Sequence, residues 1–274
     1  MAYPTITPDE YMAAATALPN GNSGWAMMYA HELSEIIKRQ AKRQPRNMQS
    51  HLGPSELGDE CDRKVVGKLA GEPYTNNVVD PWASIVGVAV HAWLAEKFGL
   101  ENALDGLPFP RWLTEVRVSP HPAYPGTADL YDAAWRAVVD WKILGPTSMA
   151  KVRSPQGPPV RYQVQLLLYA MGYRNLGLPV DRVVLAALPR TEPSLDSMFV
   201  WEHQYSALDD TIIEAVLGKT ALRRQVANEV LARRIPISAV PITPSDDGCY
   251  FCPFFRPQSA RDGGPGCPGH SLPN

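Results

Sequence analysis

Near the middle of the chain, Gly126-Thr-Ala-Asp129-Leu-Tyr is followed eleven residues later by Asp140-Trp-Lys142. Two carboxylates held side by side repel each other unless a cation lies between them, so a site that keeps both ionised calls for bound Mg²⁺ or Mn²⁺. A lysine beside that cation can orient or activate an attacking water and offset the charge that builds on a phosphate. The chemistry suited to these residue types is metal-dependent phosphodiester hydrolysis. Asp-x-Lys alone also fits an ordinary surface ion pair, so the neighbouring segments have to decide.

The elements around these residues must bring them together. Leu130 and Tyr131 follow the first carboxylate and Ala137-Val-Val139 leads into the second, which predicts a hairpin. Side chains alternate along a strand, so Asp140 and Lys142 share a face while Trp141 points to the other and can be buried. Downstream, Arg161-Tyr-Gln-Val-Gln165-Leu-Leu-Leu-Tyr169 predicts a helix with Gln165 and Tyr169 on one face, where an amide and a phenol can reach DNA phosphate. Upstream, Gly87-Val-Ala-Val-His91-Ala-Trp-Leu reads as a helix whose polar interior residue, His91, offers a further metal ligand. A lone helical histidine is more often a core residue, and Gln with Tyr at this spacing is more often surface, so each gains meaning only from the others. The partner strand 114–118 carries Glu115, a further acidic group for the site or, as strand patterning favours, a solvent-facing one.

Taken in order, these blocks resemble the PD-(D/E)XK nuclease superfamily, and within it the RecB-like and Cas4-like exonucleases, over most of residues 51–270. The order includes Ser55-Glu-Leu-Gly-Asp-Glu-Cys61-Asp-Arg63-Lys before the His91 helix and Cys249, Cys252 and Cys267 at the end. The resemblance implies an α/β fold with a restriction-endonuclease-like core, a mixed central sheet flanked by helices. It also implies that His91, Asp129 and Asp140 hold the catalytic Mg²⁺ or Mn²⁺, helped by the Trp141 carbonyl, that Lys142 is the catalytic lysine, and that Gln165 and Tyr169 serve the same site.

Three of the four cysteines fall in the last 26 residues, as Cys249-Tyr-Phe-Cys252-Pro and Gly266-Cys267-Pro. The chain shows no basic-then-apolar leader, so a reducing, cytoplasmic setting is expected and metal ligation is favoured over disulfides. Two readings compete. Cys61 joins the other three around a [4Fe-4S] cluster, as in Cas4-like and AddB-like members, or His270 completes a zinc site with Cys249, Cys252 and Cys267. The resemblance favours the first, because Cys61 lies at the family's position. The fourteen residues between Cys252 and Cys267 are more than the family usually has and must form a loop. Since Cys61 precedes the nuclease core and the others follow it, a shared cluster would act as a C-terminal iron-sulfur clasp.

With 274 residues, 45% of them hydrophobic, the chain can bury an enzyme-sized core. A net charge of −2 gives no global nucleic-acid signal. Local basic runs, Lys38 to Arg46 and Arg223-Arg224 with Arg233-Arg234, are either phosphate grips or solvated helix faces. No apolar run is read as approaching a bilayer span. Gly218-Lys-Thr220 lacks the earlier glycine of a phosphate-binding loop, so no ATP-driven motor is expected. The expected organisation is a helical region over 1–50 with helices at 9–17 and 25–44, a nuclease core over 51–240, and a cysteine-rich tail over 241–274. Within the core, residues 144–160, rich in Gly, Pro and Ser, read as a mobile loop over the site. The function expected is a metal-dependent DNA exonuclease acting at free DNA ends in recombination or repair, a phage-encoded enzyme being included in that expectation. The alternatives are a Cas4-type nuclease of CRISPR spacer acquisition, working with partner proteins, and a non-catalytic zinc-ribbon DNA-binding protein.

Overall fold

The computed structural model of the chain describes Thr7, Asp9 and residues 24–43, 52–76, 80–106 and 108–269. It divides into two compact units, Met1–Met48 and Gln49–Asn274. The first contains helix α1 (Gly24–Lys42), where Lys38 pairs with Glu35 at 3.1 Å. Apart from Asp9, the expected helix over 9–17 lies outside the described residues, as does the end of the Lys38–Arg46 basic run.

The second unit begins with α2 (Pro54–Leu57), α3 (Asp62–Leu69) and the long α4 (Trp82–Asp105). Strands β1 (Trp112–Val118), β2 (Gly126–Asp132) and β3 (Ala137–Leu144) follow, then α5 (Pro146–Val152) and α6 (Val160–Asn175). Next come β4 (Arg182–Pro189), β5 (Phe199–Gln204) and α7 (Ala207–Leu231), and the tail carries short helices α8 (Asp246–Tyr250) and α9 (Ser259–Asp262). The strands form one mixed sheet in the order β1-β2-β3-β4-β5. All neighbours are antiparallel except β3 and β4, which run parallel from Ala137↔Arg182 to Leu144↔Pro189. A parallel pair needs a crossover, and α5 and α6 supply it.

Alternation along β3 builds two layers. Val138 joins the core with Leu166, Leu168 and Tyr173 of α6 and Val183 and Leu185 of β4. Trp141 faces the other way, with Leu130, Ala186 and Leu188, against Val90, Leu94 and Phe98 of α4. Burying a leucine as fully as Leu166 contributes about 1.5–3 kcal/mol, so this sandwich is what fixes the direction of the polar residues between its layers.

Three expectations change. The stretch 144–160 is not a continuous loop, because Pro146 occupies a first helical turn and α5 forms. By length and composition, residues Trp82–Leu104 of α4 suffice to cross a membrane, contrary to the reading that no segment approaches that. Glu96, Lys97 and Glu101 interrupt the run and leave no long uncharged stretch, while its mean hydropathy stays at that of a span. Arg223 does not form a phosphate grip: it is buried, its guanidinium 2.6 Å from Asp62 and donating also to the Asp59 carbonyl. Arg234 likewise pairs with Glu229.

Candidate active site

The sheet opens at Asp129. The β1–β2 ladder runs through Thr114↔Leu130 and Val116↔Ala128 with no pair between Glu115 and Asp129. The β2–β3 ladder runs from Asp132↔Ala137 to Leu130↔Val139 and ends before Asp129 and Asp140. In place of a ladder bond, the Trp141 N–H donates to Asp129 Oδ2 at 2.9 Å. The other oxygen, Oδ1, lies 3.2 Å from His91 Nδ1 on α4. Donor atoms of His91, Glu115 and Asp129 all fall within 4.8 Å of one another. Glu115 therefore belongs to the site despite its solvent exposure. Its backbone has φ +52°, a left-handed conformation that is strained for a side-chain-bearing residue.

Asp140 and Lys142 share the face of β3 that looks toward α6. Asp140 is 1% exposed, and its Oδ1 accepts from Gln165 Nε2 at 2.9 Å. Oδ2 lies 2.6 Å from Lys142 Nζ, yet it is buried and makes no hydrogen bond of good geometry. Lys142 Nζ donates to Gln165 Oε1 at 3.0 Å, so one amide bridges acid and base. Gln165 Nε2 also reaches the Tyr169 hydroxyl at 3.4 Å. Both Gln165 and Tyr169 are buried. They do not form the DNA-facing surface pair read from helical spacing, because the leucines that surround them leave only the sheet side for their polar groups.

These contacts set the charge states. Burial pushes the Asp140 carboxyl up to about 6; Lys142 pulls against this, and the neighbouring Asp129 charge adds to it. At His91, burial disfavours the charged imidazolium, but the hydrogen bond and charge of Asp129 outweigh it and the net shift is upward. His91, Glu115 and Asp129 offer an imidazole and two carboxylates close enough to share one ion, with the Asp140 carboxylate, held by Lys142, nearby, so the donor set fits a hard divalent cation such as Mg²⁺ or Mn²⁺.

A second constellation lies on the cysteine tail. Cys61, Cys249, Cys252 and Cys267 line one cavity of about 360 Å³. The tail is strapped in place by other groups. Arg63 donates through Nε to the Val240 carbonyl at 2.8 Å, through Nη2 to Ser238 at 2.7 Å, and through Nη1 toward Cys267 Sγ at 3.6 Å. Asn76 donates to the Tyr250 and Cys252 carbonyls. The long spacer is ordered by α9 and by a bridge between Phe255 and Cys267. At Gly269 (φ +57°) an added Cβ would sit 2.9 Å from Cys249 Sγ, so glycine leaves room beside the thiols. His270, the proposed zinc alternative, lies outside the described residues.

No family model and no curated protein matches the chain. Three solved structures resemble it. An alkaline exonuclease, LHK-Exo, from Laribacter hongkongensis is 10% identical with TM-score 0.43, covering 68% of this chain and 95% of its own. The same LHK-Exo in complex with dAMP gives 11% identity and TM-score 0.45, with 68% and 93% covered. A phage-related exonuclease from Haemophilus somnus 129PT gives 12% and 0.41, with 68% and 96% covered.

Sequence reasoning placed His91, Asp129, Asp140, Lys142, Gln165 and Tyr169 as candidates, and all six surround the break in the sheet. It undervalued Glu115. Strand alternation assumes regular φ, and the left-handed residue at position 115 has no local signature in Thr-Glu-Val. Arg63 and Asn76 were also missed, since their partners lie 174–204 residues away.

Proposed function

We propose that the protein is a metal-dependent DNA exonuclease, serving DNA end processing in recombination or repair. The observation that carries this reading is the gathering of His91, Glu115 and Asp129 donors within 4.8 Å at the point where the sheet opens, beside the pair of buried Asp140 and half-buried Lys142. His91, Glu115, Asp129 and Asp140 would hold Mg²⁺ or Mn²⁺, which when bound polarises the phosphate and lowers the pKa of water. Asp129 orients the His91 ring through Oδ1 while Oδ2 keeps β2 and β3 apart. Lys142 holds its ammonium where a water and the phosphate would meet, and Gln165 fixes its direction.

The four cysteines are proposed to ligate a [4Fe-4S] cluster. The support for this is that Cys61 lines the same cavity as Cys249, Cys252 and Cys267, four thiolates being the donor set such a cluster takes. Burial pushes the Cys252 thiol up to about 11, so ligation would have to release its proton.

The test is cleavage of end-labelled linear and closed circular DNA, single- and double-stranded, by anaerobically purified protein with Mn²⁺ or Mg²⁺. Loss of linear substrate by wild type, abolished in Asp140→Ala and Lys142→Ala, is expected. No cleavage of any form by protein with its tail metal intact would refute the enzyme reading. Iron and zinc analysis of the same protein tests the clasp, with about four irons per chain expected.

A further inference from the structure

Arg161 is a half-buried cation that the proposed mechanism leaves unused. Its guanidinium donates to the Tyr162 hydroxyl at 3.3 Å, and its Cζ lies 5.0 Å from the centroid of the Tyr162 ring. Lys142 Nζ lies 4.9 Å from the same centroid. One ring thus gathers two cations, and one of them is the lysine beside Asp140. Arg161 and Tyr162 also line the cavity that runs on to the cysteines.

Among the described residues, the other buried and half-buried arginines of this unit have partners. Arg223 pairs with Asp62, Arg111 with Asp132, and Arg63 spends its nitrogens on carbonyls of the tail. Among the described residues no carboxylate pairs with Arg161. A guanidinium partly removed from water without an anion is unfavourable, and its planar fork matches phosphate oxygens. Its position on the first turn of α6, four residues before Gln165, ties it to the helix that already holds the catalytic lysine.

We infer that Arg161, backed by Tyr162, is a strand-holding subsite that takes the substrate phosphate next to the one attacked. This rests on the nuclease reading and adds to it where the strand lies: along the mouth of the cavity between α6 and the cysteine tail. Tyr162 is a positioning residue, keeping guanidinium and Lys142 ammonium against a common ring so that two neighbouring phosphates are engaged together.

The experiment is fluorescence anisotropy of an end-labelled single-stranded oligodeoxynucleotide over a salt series, with Ca²⁺ replacing Mg²⁺, on wild type, Arg161→Ala and Arg161→Lys. Arg161→Ala should bind about tenfold more weakly at 0.1 M salt, with the slope of log affinity against log salt reduced by about 0.7, the value for one phosphate contact on a single strand. Arg161→Lys should keep the slope. In turnover, KM should rise more than kcat falls for Arg161→Ala. Wild-type affinity and slope in Arg161→Ala would overturn the inference. Loss of iron or zinc from that variant would overturn it too, assigning Arg161 to the thiolates instead. Wild-type protein that neither binds nor cuts DNA brings down the nuclease reading itself, whereas wild-type cleavage with an unaltered Arg161→Ala isolates the failure to this subsite.

Discussion

Asp129 takes the backbone N–H of Trp141 at 2.9 Å in place of a strand-to-strand hydrogen bond. One carboxylate oxygen therefore satisfies a donor that the opened ladder would leave unpaired, while the other meets His91. The opening of the sheet and the assembly of the acidic group are one structural event.

The buried acid should oppose stability when no metal is bound. The Asp140 carboxyl is raised from 3.8 to about 6, chiefly by burial, so the folded state holds its proton more tightly than the unfolded chain. That contribution is neutral below about 3.8, becomes destabilising as pH rises, and reaches its full size, up to about 3 kcal/mol, above about 6. Asp140→Asn should accordingly raise the Tm of metal-free protein at pH 7 and have little effect near pH 4, while abolishing Mn²⁺-dependent cleavage. Thermal unfolding of both proteins in chelator across pH 4–8 checks it; an equal Tm difference at every pH would contradict the burial argument.

Glu115 sits at φ +52°, where glycine is at ease and glutamate is not. Glu115→Gly should stabilise the metal-free protein by about 1 kcal/mol and weaken Mn²⁺ binding tenfold or more. Calorimetric titration with Mn²⁺ and thermal unfolding of the same variant read the two effects separately. Unchanged Mn²⁺ affinity would remove Glu115 from the ligand set.

Gln165 joins Asp140 to Lys142 through both ends of its amide. Gln165→Leu keeps the volume but removes the bridge, so kcat should fall by about ten- to a hundredfold with a smaller change in KM. Steady-state kinetics on single-stranded DNA decide it; a purely KM effect would instead make Gln165 a substrate contact.

Gly126 opens β2 because space demands it. An added Cβ would stand 2.6 Å from Pro54 Cδ and 3.1 Å from Tyr169 Cε1. Gly126→Ala should destabilise by about 1–3 kcal/mol, and it should also disturb activity, because Tyr169 and Asp129 flank the shift. Denaturant unfolding midpoints with unchanged m-values would verify the first part.

The chemistry of the centre was legible in the chain itself. Asp129, Asp140 and Lys142 lie on strands whose alternation alone sends Asp140 and Lys142 one way and Trp141 the other, and period-3.6 patterning put Gln165 and Tyr169 on one helix face. Strand and helix periods are local properties, which is why β2, β3 and α6 could be read before any tertiary contact was known. Tertiary structure decided the rest. It turned Gln165 inward to bridge acid and lysine, brought Glu115 into the acidic group through one left-handed residue, and neutralised Arg223 against Asp62 while setting Arg161 against the Tyr162 ring. It also carried Cys61 to the cavity of Cys249, Cys252 and Cys267 across the whole five-stranded unit. Each of these depends on which distant surfaces pack together, and side-chain partners selected by packing leave no periodic trace in the sequence.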